Sequence, residues 1–244
     1  MTAADAPPPL LQAEKPALFL DFDGTLVALA ERPGSIRVPP RLPPLLDRLA
    51  AALHGRLAIL TGRSLADLDS HLRAPHLAAA GSHGLELRVG GRAGGAAPPA
   101  GLAAARAALA RFADTDTGLI VEDKPASVAL HYRLAPAREA EALALAAEVA
   151  ERTGLAVQPG KMVVELRPVG ADKGDALRAL MAEPVFAGAR PWVVGDDLTD
   201  EHAFRAAADL GGSGILVGAP RASAAAWRLA DVAAVHAWLE AAAA

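Results

Sequence analysis

An apolar run that ends in two carboxylates, Asp21 and Asp23, followed at once by Gly24, constrains this chain most. Side chains alternate across a strand, so the two carboxylates can face one crevice where the strand ends. Glycine lets the backbone turn sharply beside them. Two acids this close usually share a cation or divide into a nucleophile and a proton carrier. A solvated turn is the alternative, because Asp and Gly are common turn residues.

The order of strand and helix patterns predicts an α/β fold. The predicted core elements are, in order, strand 18–22, helix 45–53, strand 57–60, helix 64–72, helix 172–181, strand 192–194, helix 199–208 and strand 214–217. Such alternation favours a parallel sheet with helices on both faces, whose ligands bind beyond the carboxyl ends of the strands. The sequence therefore predicts a Rossmann-like core with Asp21 at that edge.

An insert interrupts this core. Residues 89–101 are rich in glycine and proline and lack periodicity, which indicates a crossing between domains. The elements predicted beyond it are helix 102–112, strands 119–122 and 127–133, helix 136–152, and a hairpin of strands 155–158 and 162–167 around a turn at 159–161. We expect residues 1–95 with 172–244 to form the catalytic core and residues 96–171 to form an α+β cap.

Composition excludes several partners and sites. The chain has 244 residues, 24 basic and 28 acidic side chains and no basic stripe with interleaved aromatics, so we expect no nucleic acid partner. Its 52% hydrophobic content rests largely on alanine, and no window approaches the roughly 18 apolar residues of a bilayer helix, so we expect no membrane partner. The absence of cysteine leaves any metal to carboxylates, histidines and backbone oxygens.

The amino-terminal residues 1–16 have neither the basic start nor the apolar core of a secretory signal. Their prolines and small residues predict a loose tail. We therefore expect a cytoplasmic protein whose mature chain starts at Met1, and a monomer rather than an oligomer.

A second acidic cluster follows the predicted strand at 192–194 and begins with Asp196. If this strand and the first are central in one parallel sheet, Asp21, Asp23 and Asp196 converge in an all-oxygen crevice that suits Mg²⁺ better than zinc. The alternative is helix capping, because negative charge is favourable in a first helical turn. We assign capping to Thr199 or Glu201.

Two further side chains could bind a phosphoryl oxygen. Thr61 follows the predicted strand 57–60 and offers a hydroxyl at a helix amino end. Lys173 begins the helix after the insert, where a positive charge opposes the helix dipole, so a fixed negative partner explains it better than helix stability does. A lone lysine of this kind is often merely solvated, and only the three other segments favour a functional role.

The chain carries, in order, Asp-x-Asp-Gly-Thr, Thr-Gly-Arg, Lys-Gly and Gly-Asp-Asp-x-Thr-Asp-Glu. This order resembles the haloacid dehalogenase (HAD) superfamily of phosphatases. Within it, the chain resembles the trehalose-6-phosphate phosphatase family over about residues 18–217. The narrower likeness rests on Gly81-Ser82-His83-Gly84, on Glu122-Asp123-Lys124 leading to His131-Tyr132-Arg133, on Gly160-Lys161 through Glu165-Leu166-Arg167-Pro168, and on the run that begins at Asp196.

The resemblance implies a Mg²⁺-dependent phosphatase with an aspartyl-phosphate intermediate. Asp21 would be the nucleophile, and Asp23 would protonate the departing sugar oxygen and later accept a proton from water. Asp21, Asp23, through its backbone carbonyl, and Asp196 would hold the ion. Thr61 and Lys173 would bind the nonbridging phosphoryl oxygens.

The same resemblance implies supporting and substrate-binding residues. Asp197 and Asp200 would support the metal ligands without touching the ion. The cap would cover the metal site and read the sugar. The implied substrate contacts are Gly62, Arg63, His83, Glu122, Lys124 and Glu165. Charged residues on an exposed strand are often merely solvated, so this part depends on the family likeness. His131 and Arg133 could be structural instead.

The implied reaction is hydrolysis of trehalose 6-phosphate, a step of trehalose biosynthesis. One alternative is the same chemistry on another sugar phosphate, such as sucrose phosphate or mannosyl-3-phosphoglycerate, with cap residues deciding between them. The other is a non-catalytic relative that only binds sugar phosphate. The presence of Asp21, Asp23, Lys173 and Asp196 argues against it, because a decayed enzyme is expected to lose its nucleophile or metal ligand first.

Overall fold

The computed structural model describes residue 7 and residues 9–30, 35–95, 99–169 and 172–243. These residues separate into two compact units. The first unit contains the described parts of residues 1–30, 36–95 and 172–244, and the second contains those of 31–35 and 96–171. Both ends of the predicted cap, at 96 and 171, and the first six residues of the predicted tail lie outside the described residues.

The described elements, numbered in chain order, are twelve strands and seven α-helices. The strands are β1 (Pro16–Leu20), β2 (Leu57–Leu60), β3 (Ala78–Gly81), β4 (Glu86–Val89), β5 (Arg92–Gly95), β6 (Ile120–Asp123), β7 (Val128–His131), β8 (Ala156–Gly160), β9 (Val163–Arg167), β10 (Arg190–Gly195), β11 (Ser213–Val217) and β12 (Trp227–Leu229). The α-helices are α1 (Leu42–Ala52), α2 (Leu65–Leu72), α3 (Leu102–Ala113), α4 (Glu139–Thr153), α5 (Lys173–Met181), α6 (Asp200–Asp209) and α7 (Val232–Ala242).

The first unit is built on one eight-stranded sheet in the order β12, β11, β10, β1, β2, β3, β4, β5. Neighbours are parallel from β12 to β3 and antiparallel from β3 to β5. Leu20 at the end of β1 pairs with Val194 on one side and Ile59 on the other. The carboxyl ends of β10, β1 and β2 therefore lie together, and the predicted α/β class is confirmed.

The side chains of β1 pack alternately into two hydrophobic clusters, one on each face of the sheet. Leu18 and Leu20 pack in the cluster that contains the apolar residues of α1, α2 and α7. Ala17 and Phe19 pack in the cluster that contains those of α5 and α6. A strand buried on both faces reads as a continuous apolar run rather than an alternating one. This double burial explains the sequence pattern in front of Asp21.

The second unit has a four-stranded antiparallel sheet in the order β6, β7, β9, β8. Helices α3 and α4 supply apolar side chains such as Leu109 and Val149, which pack with Leu130 and Val164 of the sheet in one cluster. The predicted hairpin between the last two strands is present. Its loop consists of Lys161 and Met162 rather than residues 159–161, because Gly160 still pairs with Val163 inside the ladder.

Several elements were not predicted, namely β3, β4, β5, β12 and α7. Strand β3 reads Ala-Ala-Ala-Gly, a sequence with little intrinsic β preference, and it forms through parallel pairing with β2. Strand β5 lies inside the stretch that we expected to be irregular. In the described part of the chain, no helix has both the length and the apolarity needed to span a bilayer.

The predicted loose tail is wrong for its second half. Residues Leu10–Gln12 form a 3₁₀ turn ahead of β1. Leu10 is completely buried and belongs to the cluster that contains α1, α2 and α7. Ala13 also packs against this cluster, and the proline-rich composition concealed these apolar contacts, which tie the segment before β1 to the core.

Replacing Leu10 with Ala should therefore destabilise the protein, whereas the same change at the neighbouring Leu11 should not. Leu10 is 0% exposed and Leu11 is 45% exposed, so only the first substitution leaves a cavity. We expect Leu10→Ala to lower the free energy of unfolding by about 2–4 kcal/mol and Leu11→Ala to change it by less than about 0.5 kcal/mol. Urea denaturation of both variants measures this, and equal losses would contradict the burial of Leu10.

Candidate active site

Three buried carboxylates meet where β1 and β10 end. Asp21 follows β1 directly, Asp196 follows β10 directly, and Asp200 is the first residue of α6. One carboxylate oxygen from each residue lies within 4.8 Å of those from the other two. A backbone hydrogen bond also joins the ends of β1 and β10, since the Asp21 N–H donates to the carbonyl of Val194 at 2.9 Å. Buried like charges this close are unfavourable unless a cation offsets them.

Lys173 supplies one such cation. Its Nζ donates to Oδ1 of Asp21 at 2.7 Å and to Oδ1 of Asp200 at 2.6 Å. Burial alone would lower the pKa of Lys173, but the two carboxylates raise it well above its ordinary value, so the ammonium stays charged. Asp172 caps α5 by accepting from the N–H groups of Gly174 and Asp175, which fixes the turn that carries Lys173.

The cluster keeps an excess of negative charge. Burial raises the pKa of Asp21 well above its ordinary value, Lys173 opposes this, and the carboxylates of Asp200 and Asp196 raise the pKa further. One ammonium faces three carboxylates. A divalent cation would offset the remainder, and the exclusively oxygen donors suit a hard ion such as Mg²⁺.

The loop between β10 and α6 is folded around Asp200. Its Oδ2 accepts from the N–H groups of Asp196 and Asp197, both at 2.9 Å. A Cβ on Gly195 would collide with the Asp200 carboxylate, so glycine allows this close approach. Asp197 itself accepts from the Leu198 N–H through its own carboxylate. Asp200 therefore both binds Lys173 and holds the turn that presents Asp196.

The expected capping role of Thr199 or Glu201 is wrong. Thr199 is the N-cap residue of α6 by position but makes no side-chain capping bond. The Glu201 carboxylate instead binds Arg221 and the N–H of Ala224, in the segment after β11. Arg221 also donates to the backbone carbonyl of Asp197 at 3.0 Å. Glu201 thus anchors a neighbouring loop against the carboxylate-bearing turn.

The side chain of Asp23 lies outside the carboxylate cluster. Arg63 binds it through two bonds, Nε to Oδ2 at 2.6 Å and Nη2 to Oδ1 at 2.8 Å, and donates to Asp67 at 2.5 Å. Burial would lower the pKa of Arg63, but the carboxylates of Asp23 and Asp67 raise it. Strand β1 ends at Leu20, so strand alternation does not apply to Asp21 and Asp23. The carboxylate of Asp200 takes the place expected for that of Asp23.

Thr61 and Gly62 lie in the loop after β2, which contacts the loop that carries His83. Thr61 is buried, and its hydroxyl accepts from the Arg63 N–H at 3.1 Å. The His83 N–H donates to the Thr61 carbonyl at 3.0 Å. A Cβ on Gly62 would lie 2.6 Å from Nε2 of His83, so the imidazole packs directly on the glycine. Ser82 and His83 both have left-handed backbones, an uncommon conformation for such residues.

The other predicted substrate-binding residues belong to the second unit, where Glu122 lies in β6, Lys124 directly follows β6 and Glu165 lies in β9. Lys124 donates through Nζ to Oε2 of Glu165 at 2.9 Å, and both side chains are buried rather than exposed. Glu122 accepts from Nε2 of His131 at 2.8 Å. Burial would raise the pKa of Glu122, but His131 and Lys124 lower it overall. Each of the three predicted residues therefore makes a charge-assisted hydrogen bond within this unit.

Two participants had no role in the sequence analysis. Ser127 donates to Oε1 of Glu165 at 2.6 Å, and Arg221 binds Glu201 and the backbone carbonyl of Asp197. These contacts join residues 38, 20 and 24 positions apart in the chain. No local pattern marks such partners, because the fold alone brings them together.

Comparisons with known proteins give consistent matches. A family model described as trehalose-phosphatase matches residues 19–233. The sequence is 46% identical over 207 residues to a probable trehalose-phosphate phosphatase of Sinorhizobium fredii, covering 84% of this chain and 78% of that protein. It is 37% identical over 233 residues to the trehalose-6-phosphate phosphatase of Escherichia coli, covering 93% of this chain and 86% of that protein.

Solved structures also match. A trehalose-6-phosphate phosphatase related protein superposes with a TM-score of 0.77 at 26% identity, covering 92% of this chain and 95% of that one. The C-terminal domain of the C. albicans trehalose-6-phosphate phosphatase gives a TM-score of 0.85 at 20% identity, covering 99% and 98%. A HAD subclass IIB sugar phosphatase gives 0.57 at 17% identity, covering 89% and 94%. The last two likenesses show the fold alone.

Gly24 provides a test of the cation site. Its φ is +83°, and an added Cβ would collide with the carboxylate of Asp196. Gly91 has a similar φ of +77° with no atom within 4 Å of an added Cβ. Alanine at either position incurs the left-handed strain of about 1–2 kcal/mol, but only Gly24→Ala displaces a carboxylate of the cluster. We expect Gly24→Ala to weaken Mg²⁺ binding at least tenfold in calorimetry, with Gly91→Ala unchanged; equal affinities would contradict the site.

Proposed function

This chain belongs to the trehalose-phosphatase family of phosphoric monoester hydrolases, and on that premise we propose that it hydrolyses trehalose 6-phosphate to trehalose and inorganic phosphate. The observation that carries the proposal is the buried carboxylate cluster with its bound lysine. The cluster lies at the carboxyl ends of two adjacent parallel strands, where α/β folds place their ligands.

Asp21 is the nucleophile in this proposal. Its carboxylate attacks phosphorus, the bond from phosphorus to the sugar oxygen breaks, and an aspartyl-phosphate forms. Water then attacks the same phosphorus, inorganic phosphate leaves, and the Asp21 carboxylate is restored. This divides one difficult hydrolysis into two easier displacements. Lys173 supports the assignment, because its ammonium fixes one oxygen of Asp21 in place.

Asp23 carries the protons. It donates one to the departing sugar oxygen and takes one from the attacking water, so the proton count balances over the turnover. Arg63 binds both oxygens of Asp23 in the present arrangement. Each carboxylate oxygen offers a second acceptor site, so Asp23 can take up and donate a proton while Arg63 stays bound.

Mg²⁺ would be held by Asp21, Asp196 and the backbone carbonyl of Asp23. The ion would neutralise the repulsion between the nucleophile and the phosphoryl group when bound. We assign Asp200 and Asp197 to supporting roles. Both oxygens of Asp200 already accept hydrogen bonds, one from Lys173 and the other from two backbone N–H groups.

The phosphoryl oxygens would be bound by Thr61, the adjacent backbone of Gly62 and Lys173. Phosphoryl transfer depends mainly on positioning and on stabilising the charge of the transferred group, so donors at these oxygens contribute directly to rate. Thr61 lies at the end of β2, next to β1 in the sheet, which supports the assignment.

The second unit would act as the cap that reads the sugar. Glu122, Lys124 and Glu165 offer charged acceptors and a donor, which can form charge-assisted hydrogen bonds with hydroxyl groups. Arg63 and His83 of the first unit are further proposed substrate contacts.

A phosphate-release assay with Mg²⁺ tests the proposed substrate directly. We expect kcat/KM for trehalose 6-phosphate to exceed that for sucrose phosphate, mannosyl-3-phosphoglycerate and glucose 6-phosphate by at least tenfold, because the cap residues read the disaccharide. Comparable rates across this panel would remove the claim of specificity. Binding of trehalose 6-phosphate without phosphate release would favour a non-catalytic sugar-phosphate-binding protein instead.

Replacing Asp21 with Asn tests the nucleophile. We expect phosphate release to fall at least a thousandfold, because a carboxamide cannot form the acyl phosphate. Because the pKa of Asp21 is higher in the folded protein than in the unfolded chain, ionisation of Asp21 favours unfolding. Asp21 therefore contributes to the free energy of unfolding at pH values below the ordinary carboxyl pKa. This contribution is lost as pH rises through the pKa of Asp21 in the folded protein.

The Asn side chain does not ionise, so the Asp21→Asn variant does not lose this contribution to stability as pH rises. In EDTA at pH 7 we therefore expect the melting temperature of Asp21→Asn to equal or exceed that of the wild type, which separates lost chemistry from lost folding. Steady-state activity close to the wild-type value in the purified variant would refute the assignment of Asp21.

A further inference from the structure

Strand β7 connects the two carboxylates of the proposed sugar-reading face. Ala129 at its centre pairs with Glu122 of β6 on one side and with Glu165 of β9 on the other. Directly opposed residues in neighbouring strands point to the same face, so Glu122, Ala129 and Glu165 form one row. His131 lies two residues after Ala129 in β7, and Ser127 directly precedes the strand; their side chains contact Glu122 and Glu165 of this row, so both lie on the same face.

Ser127 fixes one oxygen of Glu165. The serine is completely buried, and its hydroxyl donates to Oε1 at 2.6 Å while Lys124 donates to Oε2 at 2.9 Å. The backbone joins Lys124 and Ser127 as well, since the Lys124 N–H donates to the Ser127 carbonyl at 3.1 Å. Lys124 provides a positive charge beside the buried carboxylate. The neutral hydroxyl therefore serves to orient the carboxylate plane.

His131 has the corresponding contact at the other end of β7. Its Nε2 lies 2.8 Å from Oε2 of Glu122, and both side chains are only partly exposed. An ionised carboxylate can only accept, so the imidazole is the donor. Each of the two carboxylates is thus held by a side chain from β7 or from the residue directly before it.

We propose that Ser127 and His131 are positioning residues that orient Glu165 and Glu122 for recognition of the sugar hydroxyls. This inference rests on the proposed function and adds to it a role for β7. Neither side chain needs to touch the substrate. A hydrogen bond to a sugar hydroxyl weakens steeply when the acceptor is rotated, so loss of either donor should reduce sugar affinity while leaving the phosphoryl chemistry to the first unit.

The test compares trehalose 6-phosphate with p-nitrophenyl phosphate, which has no sugar. We expect Ser127→Ala to raise KM for trehalose 6-phosphate and to lower the ratio of the two kcat/KM values roughly tenfold, the size expected for one hydrogen bond to a charged group. His131→Ala should lower the ratio similarly. Ser127→Thr keeps the hydroxyl and should restore most of it. Inhibition of p-nitrophenyl phosphate hydrolysis by trehalose gives sugar affinity independently and should weaken in parallel.

Thr153→Ala is the matched control. It removes a hydroxyl bond of the same length, 2.6 Å to the carbonyl of Val149, from the same unit but from α4. We expect the ratio of the two kcat/KM values for Thr153→Ala to equal that of the wild type. If Ser127→Ala lowers activity on both substrates equally, or leaves the ratio unchanged, the positioning role is refuted.

Wild-type protein that hydrolyses p-nitrophenyl phosphate but not trehalose 6-phosphate would refute the proposed function itself, which separates the two failures. Should Ser127→Ala fail to fold, His131→Ala and Ser127→Thr still decide the matter, since an unchanged ratio in His131→Ala overturns the proposal.

Discussion

The buried ammonium of Lys173 is the interaction on which the rest of the site depends. It joins the first turn of α5 to the end of β1 through Asp21 and to the start of α6 through Asp200. A buried carboxylate without a partner costs several kcal/mol, so these acids could not converge without it. A lysine in a first helical turn opposes the helix dipole, and the two carboxylates explain why it is nevertheless found there. The ammonium of Lys173 therefore sets how closely the carboxylates that follow the strand ends can approach one another.

The two acids that follow β1 are handled in different ways. Asp21 lies with Lys173 among the buried carboxylates, whereas Asp23 is bound by Arg63, which also binds Asp67. Each acid therefore has its own cationic partner, and the two carboxylates do not have to share one. Under the proposed function, this division gives the nucleophile and the proton carrier separate cationic partners. It follows from the chain leaving the strand after Leu20, which frees the two side chains from strict alternation.

The elements that bear the motifs could be predicted because each has a strong local signal. Strand β10 is apolar from Pro191 to Val194 and ends at Gly195, the acids begin directly after it, and α5 begins at Lys173, one residue later than predicted. The family resemblance read from these motifs is confirmed. Strand β3 could not be predicted, since three alanines and a glycine prefer no particular structure and only pairing with β2 makes them extended. The burial of Leu10 could not be predicted for a related reason, because a single apolar side chain carries no periodicity.

The sequence by itself determined the α/β class, the existence of the core strands and the residue types that follow them, because apolar runs and the acids after them are local properties of the chain. Only the tertiary structure decided which acids meet. It placed the side chain of Asp200 rather than that of Asp23 in the cluster, and it gave Ser127 and Arg221 their partners. The physical reason is that hydrogen bonds and ion pairs act over about 3 Å. Contacts between residues tens of positions apart therefore depend on strand order and loop conformation, which no local pattern encodes.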